Sequence, residues 1–322
     1  MREISIKDIG PIRIGQTENA EAGTGCTVFI SEEGMSAGVD IRGGGPASRE
    51  TPLLDPLMSA RAINAIVLAG GSAFGLEASN GVMEYLEERD IGYDVGVTKV
   101  PLTVQSDIFD LKLGDKNSRP NHAMGYEAAR CAFEEDNYRD GNFGAGCGAT
   151  IGKAGGMDCC MKAGIGSYAL QVGNLKIGAC VVVNAFGDIY DHKTGKKIAG
   201  YLNEDKSGFG DTIDQMIRRF KPDIDQYAVN TTLGVVMTNA AFDKSELGKI
   251  AGMAHDGYAR AIKPVHTTLD GDSIYAVSLG DLKEDINLVG TLAAEVMSEA
   301  ILRAVKSADS AYGHVAYKDL TF

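Results

Sequence analysis

Glycine sets the first constraint on this chain: 41 of its 322 residues are glycine, nearly twice the ~7% usual in globular proteins. The glycines follow no period, and no proline or serine enrichment accompanies them as it would in a linker. They therefore mark tight turns and close backbone approaches inside a compact fold. No internal repeat or low-complexity run interrupts them. Hydrophobic residues make up 44% and charged residues 23%, an ordinary globular balance, and the length is ample for a sizeable core in one large domain or two.

Charge narrows the function. With 31 Lys plus Arg against 44 Asp plus Glu, the formal charge is −13, which argues against nucleic-acid and anionic-membrane partners. The nearest approach to a basic patch, Lys193–Lys197, holds only Lys193, Lys196 and Lys197. No segment reaches the ~20 apolar residues of a membrane span; the most apolar stretch, Ile177 to Phe186, contains Gly178 and Asn184 and reads as a buried strand. The N-terminal run from Met1 to Asp8 alternates charge with isoleucine and shows no signal-peptide core, so a cytoplasmic location is expected. There Cys26, Cys131, Cys147, Cys159, Cys160 and Cys180 should stay thiols. None forms a C-x-x-C pair, and no metal site is expected from them.

The apolar spacing predicts strands and helices in mixed order. Thr27–Ile30 and Ala37–Ile41 read as strands joined in a hairpin through Glu32-Glu33-Gly34. Ala65–Leu68 is a short strand running into Gly70-Gly71, after which Ser72 caps a helix to about Glu88, with Leu76, Val82, Met83 and Leu86 for its buried face. Ala179–Val183 and Leu233–Met237 are strands, Thr212–Phe220 is an amphipathic helix, and Lys221-Pro222 to Val229 is a polar connector. A helix over Lys244–Ile262, the strand Ser273–Leu279 and a long helix from Asp285 to Ser307 follow, the last with Ile286, Val289, Leu292, Ala293, Val296, Ala300 and Ile301 at helical spacing. Strand pairs followed by helices predict sheets covered by helices, a mixed α/β chain without a clean βαβ repeat.

Three segments could carry chemistry. Gly70-Gly71-Ser72-Ala73-Phe74-Gly75 lies between a strand and a helix, where anions can bind. It matches neither phosphate-binding glycine pattern, and no lysine follows it. It is a tight turn, or a substrate-facing loop with Ser72 as a pocket residue. Asp270-Gly271-Asp272, after His266-Thr267-Thr268, is a surface turn on the plainest reading. It lacks the spacing of a calcium loop, and His266, Asp270 and Asp272 offer metal-ligand types without a distinctive spacing. If extended, it sets Asp270 and Asp272 on one face, where a cation such as a free amino group would relieve their repulsion. Asn230-Thr231-Thr232-Leu233-Gly234 opens a strand, and a lone threonine there is ordinarily structural.

Further segments occur in a fixed order from Gly23 to about Leu279. They are Thr24-Gly25-Cys26-Thr27-Val28, Ala37-Gly38-Val39-Asp40-Ile41-Arg42-Gly43-Gly44, Arg49-Glu50-Thr51 with Leu54-Asp55-Pro56, and Leu68 through Leu76. Then come Gly148-Ala149-Thr150-Ile151-Gly152-Lys153, Val183-Asn184-Ala185-Phe186-Gly187-Asp188, Asn230-Thr231-Thr232-Leu233, Ala254-His255-Asp256-Gly257 and His266 to Asp272. In this order the chain resembles the self-processing hydrolases that include L-aminopeptidase/D-esterase (DmpA-type), the β-peptidyl aminopeptidases and the nylon-oligomer hydrolases (NylC-type).

The resemblance implies a single αββα sandwich, shared with the ornithine acetyltransferases, whose precursor cuts itself between Asn230 and Thr231. The products would be an α chain of residues 1–230 and a β chain of residues 231–322. An internal threonine hydroxyl lacks a base; once cleaved, Thr231 carries its own α-amino group, with an ordinary pKa of ~7.7–8.0. The resemblance further implies that Thr231 forms an acyl-enzyme, that Asp270 and Asp272 orient it, that Asn184 donates to the oxyanion, and that Lys153 stands near the cleavage site. No metal or organic cofactor is implied. Substrates would be small peptides, amino-acid amides or ω-amino-acid oligomers, and the assembly a tetramer of αβ units. Asp270-Gly271-Asp272 matches the nylon-oligomer members, where DmpA-type enzymes carry Ser-x-Glu. Phe109 aligns with a family tyrosine near the substrate pocket and lacks its hydroxyl. The alternatives are an ornithine-acetyltransferase-like acyl transfer, and an unprocessed small-molecule-binding protein using the Gly70–Gly75 loop.

Overall fold

The central strands are buried at nearly every position, so both sheet faces are covered and alternate residues sort into different layers. The computed structural model describes residues 1–219 and 230–322. Its main strands are β1 (Arg13–Asn19), β2 (Thr24–Ile41), β3 (Ile63–Ala69), β4 (Thr103–Asp107), β5 (Ile165–Val172), β6 (Leu175–Asn184), β7 (Thr231–Ala240) and β8 (Ser273–Leu282). The α-helices are α1 (Ala78–Glu87), α2 (His122–Glu134), α3 (Thr212–Arg219), α4 (Lys244–Ala261) and α5 (Ile286–Ser307). Strands are ordered Arg2–Ile4, β5, β6, β7, β8, β2, β3, β4, Ala47–Arg49, with β1 also on β2. The pairs β3/β4 and β7/β8 are parallel, bridged by α1 and α4, and parallel strands require such crossovers.

β2 is the turning point of this order. Thr24–Ile30 pairs with β1 and β3, whereas Ser36–Ile41 pairs with β8. Between them the register shifts from Ile30 to Met35, and Gly34 takes φ +86°. The hairpin expected at Glu32-Glu33-Gly34 is therefore a bulge within one 18-residue strand. A bulge and a tight hairpin both place a positive-φ glycine between β runs, so the local pattern is the same. Here the bulge lets one strand leave one sheet and enter the other.

Alternate residues then face different layers. Phe29, Ile66, Leu68 and Val104 of one sheet meet Cys180, Val182, Leu233, Val235, Tyr275 and Val277 of the other in a central core. Val28, Ile30, Ala65 and Val67 face away, toward Val82, Leu86, Ala128 and Ala132 of α1 and α2. Val181, Val183, Val236 and Ala276 face outward on the opposite side, against Leu247, Ala254, Val296 and Ile301 of α4 and α5. The fold is an αββα sandwich. Glycine permits its tight layering: a Cβ on Gly38 would stand 2.2 Å from the Gly248 nitrogen of α4, and one on Gly166 would stand 2.2 Å from the Ala304 nitrogen of α5.

The helices expected near Thr212, Lys244 and Asp285 form, with Asp243 and Asp285 accepting from the first turns of α4 and α5. Phe220 and the connector from Lys221 to Val229 lie outside the described residues. Ser72 does not cap a helix: it has φ +54° and begins a 3-10 turn, Ser72–Glu77, that precedes α1. Val82 and Leu86 are buried as expected, while Leu76 and Met83 are only partly so. Among the described residues no helix is long and apolar enough to cross a membrane, and all six cysteines are free thiols.

Candidate active site

Sheet register alone gathers the central residues. Asn184, the last residue of β6, pairs with Thr231, the first of β7. Asn230 bridges Asp270 in parallel, just before the β7/β8 ladder begins at Leu233 and Ser273. The Asn230 N–H donates to the Leu269 carbonyl at 3.2 Å, and its own carbonyl accepts from the Gly271 N–H at 2.8 Å. This holds the Asn230–Thr231 peptide rigidly. The Thr231 hydroxyl donates to the Asn230 carbonyl oxygen at 2.5 Å, so it sits on the carbonyl group of the bond that precedes it. Both residues are buried.

The two carboxylates lie beside this bond and are fully held. Asp272 Oδ1 accepts from the Thr232 N–H at 2.8 Å. Its Oδ2 accepts from the His266 N–H at 3.1 Å and faces His266 Nδ1 at 2.9 Å. Asp270 Oδ2 accepts from the Thr267 hydroxyl and N–H at 2.5 and 3.1 Å, and its Oδ1 accepts from the Phe186 N–H at 3.3 Å. Burial, and then the negative charge of Asp272, push the Asp270 carboxyl up to about 6, the expected effect of like charges in a desolvated place. The extended reading of Asp270-Gly271-Asp272 therefore holds, and the surface-turn reading does not. In the intact chain the Thr231 hydroxyl is engaged with Asn230 rather than with either carboxylate.

Asn184 and Lys153 form the opposite wall. Asn184 Oδ1 accepts from Lys153 Nζ at 2.6 Å and from the Thr150 N–H at 3.1 Å. Its amide nitrogen donates to the Phe109 carbonyl at 3.1 Å, which occupies one of its two N–H donors. Burial lowers the Lys153 ammonium to about 7, so amine and ammonium coexist near neutrality. Lys153 also donates to the Asn184 carbonyl at 3.3 Å.

A cavity of about 350 Å³ opens onto this wall, lined by residues that include Phe109, Lys112, Lys153, Phe186, Asn230 and Leu269. Phe109 lines this cavity, and its main-chain carbonyl is the one that accepts from Asn184. Ser72 is not among the lining residues; its N–H donates to the Ile108 carbonyl at 2.9 Å. The neighbouring Gly71 N–H goes to Asp110 Oδ1 at 2.7 Å, and the Gly70 N–H to the Gly25 carbonyl at 2.9 Å. With three successive N–H groups used internally, the Gly70–Gly75 loop offers no anion cradle there. Asp272 and His266 are joined by their own hydrogen bond. The cluster of metal-ligand side chains among the described residues, Glu127, Cys131 and Glu135, has Arg130 paired to both glutamates.

Sequence reasoning missed the residues that hold the site in place. Thr267 and His266 grip the two carboxylates; the sequence offers His266 only as a metal-ligand type and assigns Thr267 no role. The Gly43, Gly44 and Gly45 N–H groups donate to the carbonyls of Asp272, Thr267 and Asp270 at 3.2, 3.3 and 3.0 Å. A Cβ on Gly43 would stand 2.2 Å from the Asp272 nitrogen, and one on Gly271 would stand 2.7 Å from Thr231 Oγ1. The glycine run is the available signal: three in succession can lie flat against another backbone.

The Thr231 hydroxyl, both carboxylates, Asn184 and Lys153 thus meet around one peptide bond of an αββα sandwich. Residues 5–317 match the model of peptidase family S58. The chain is 34% identical to an uncharacterized aminopeptidase of Mycobacterium leprae, over 97% of this chain and 93% of that one. It is 30% identical to the 6-aminohexanoate-oligomer endohydrolase of Kocuria sp. (strain KY2), over 95% and 87%. In fold it superposes on a Burkholderia sp. beta-aminopeptidase with TM-score 0.68 at 18% identity, covering 97% of this chain and 90% of that one. The L-aminopeptidase D-Ala-esterase/amidase of Ochrobactrum anthropi, described as a variant of the Ntn-hydrolase fold, also gives TM-score 0.68 at 18% identity, covering 94% and 86%. The chain belongs to peptidase family S58.

Proposed function

We propose that this chain matures by cutting its own Asn230–Thr231 bond, giving an α chain of residues 1–230 and a β chain of residues 231–322. It then hydrolyses small peptides, amino-acid amides or ω-amino-acid oligomers with Thr231 as nucleophile. The observation that carries this reading is the Thr231 hydroxyl, 2.5 Å from the carbonyl oxygen of its own preceding peptide. In the first step Thr231 Oγ1 adds to the Asn230 carbonyl carbon, and its proton passes to Lys153 in its amine form. The C–N bond breaks, the nitrogen takes up the proton as an α-amino group, and an ester joins Asn230 to Thr231. Water cleaves that ester, leaving a carboxylate on Asn230 and a free hydroxyl on Thr231.

In turnover the α-amino group takes over as base, because nucleophile and base now belong to one residue. Asp270 and Asp272, whose proximity is unfavourable alone, gain an ammonium to face whenever that amine is protonated. The free N–H of Asn184 stabilises the oxyanion in both reactions. Asn230 lines the cavity in the intact chain, so the same cavity receives the acyl part of an external substrate once Asn230 withdraws. No step needs a metal or organic cofactor. A tetramer of αβ units is the assembly proposed on the family resemblance.

The test is a panel of aminoacyl anilides, dipeptide amides and 6-aminohexanoate oligomers, run beside acetylornithine with glutamate as acyl acceptor. Amine release from at least one amide, absent in Thr231→Ala, is the expected result. Acyl transfer to glutamate without net hydrolysis would make the chain an acyltransferase instead.

A further inference from the structure

Lys162 is fully buried and has no part in the chemistry described so far. Its Nζ donates to three main-chain carbonyls, those of Gly146, Ala149 and Ala163, at 3.3, 3.0 and 2.5 Å. Three donors meet three acceptors, so the ammonium is saturated although no carboxylate pairs with it among the described residues. Such a burial is costly unless the carbonyl dipoles compensate, and a neutral apolar side chain would avoid the cost altogether. The peptide between Ala149 and Thr150 gives the lysine a purpose. Its carbonyl accepts from Lys162, and its N–H is the one that donates to Asn184 Oδ1 at 3.1 Å. One peptide plane thus links a buried cation to the side-chain amide beside Thr231. The segment it clamps carries Gly144, Gly146 and Gly148, which have little stiffness of their own.

We propose that Lys162 is a positioning residue for amide hydrolysis: through the Ala149–Thr150 peptide it fixes and polarises the Asn184 amide that receives the oxyanion. A cation on the carbonyl strengthens the N–H donor of the same peptide, and hydrogen bonds in a chain reinforce one another. A stronger donor on Asn184 Oδ1 draws charge from the amide nitrogen, and so sharpens the N–H that faces developing negative charge. The titratable groups near Lys162 are Cys147, Cys160, Asp110, Asp309 and His314, and burial lowers its ammonium to about 8.

The inference rests on Asn184 as oxyanion donor, and the test separates the two. Turnover per cleaved site is measured for Lys162→Met, Lys162→Gln, Asn184→Ala and the double variant Lys162→Met/Asn184→Ala. Losing an oxyanion donor typically costs ~10²–10³ in kcat; Asn184→Ala should fall in that range, and Lys162→Met by roughly tenfold with KM unchanged. The double variant should be no slower than Asn184→Ala alone. Losses that multiply would show that Lys162 acts independently of Asn184, overturning the proposal while leaving Asn184 in place. Full kcat in Asn184→Ala would overturn both. The wild-type pH profile gives a further readout that general structural support would not move, and it remains available if neither lysine variant folds. kcat should first rise as the Thr231 α-amino base loses its proton at ~7.7–8.0, then fall as Lys162 loses its own past about 8, with KM steady. Lys162→Gln should keep the rise and lack the fall. A wild-type profile that does not fall by pH 10 would contradict the proposal.

Discussion

A methyl group on Gly271 would stand 2.7 Å from Thr231 Oγ1, closer than the hydroxyl can accept without moving off the Asn230 carbonyl. Gly271→Ala should therefore slow self-cleavage by ~10²-fold, the scale of an ångström's misplacement in an active site, as followed by gel time course. Cleavage at the wild-type rate would show that the hydroxyl position is not critical. Asp272→Ala removes the acceptor for Thr232 and His266 and should leave cleavage slow or absent on the same gel. Normal maturation with normal turnover would remove that carboxylate from the mechanism.

Lys153 makes a prediction of definite sign. Its native pKa of about 7 lies below the ordinary value of 10.5, so between these the unfolded chain binds more protons and stability rises with pH. Below about pH 7 the buried ammonium costs stability in full. In a Thr231→Ala background, which keeps both chains uncut, Lys153→Met should gain most in melting temperature relative to its parent at pH 6. That gain should shrink toward pH 10, and a difference that stays constant or grows with pH would contradict the assignment. Thr231, Asp270 and Asp272 stand out in the sequence through the motif order of the family it resembles, and the fold brings them to one place. Gly43 and Lys162 do not, because each donates to main-chain carbonyls, and such a donor leaves no mark on the sequence of the segment it holds.

Helix α5 was legible from apolar residues at a spacing of 3.6, and β6 and β8 from short apolar runs that the fold buries on both faces. The reading failed at Glu32-Glu33-Gly34, where a bulge and a hairpin share one local signal and only the distant pairing with β8 decides between them. It also failed at Ser72, where a 3-10 turn separates the strand from α1. Close packing between elements gives a paired test. Gly38 of β2 lies against α4, with Gly248 opposite. Gly38→Ala forces backbone apart and should cost about 1–3 kcal/mol in denaturant unfolding. A Cβ on Gly248 meets nothing within 4 Å, so Gly248→Ala should be neutral or stabilise by up to ~1 kcal/mol through helix propensity. Equal effects at the two positions would refute this description of the contact.

Across the whole molecule, the proposed cut separates chains that remain interleaved. Residues 231–322 supply β7, β8, α4 and α5, and they stay paired to β6 and β2 of the larger piece. The halves share the central core and the outer α4/α5 layer, so they should elute together under native conditions and part only on denaturation. The intact mass under denaturing conditions, with N-terminal sequencing of any smaller species, tests the central claim most directly. Dividing the 34.0 kDa chain at residue 230 of 322 predicts fragments of roughly 24 and 10 kDa, the smaller beginning Thr-Thr-Leu-Gly, and neither present in Thr231→Ala. A single stable species of 34.0 kDa in the wild-type protein would contradict self-processing and the N-terminal nucleophile built on it.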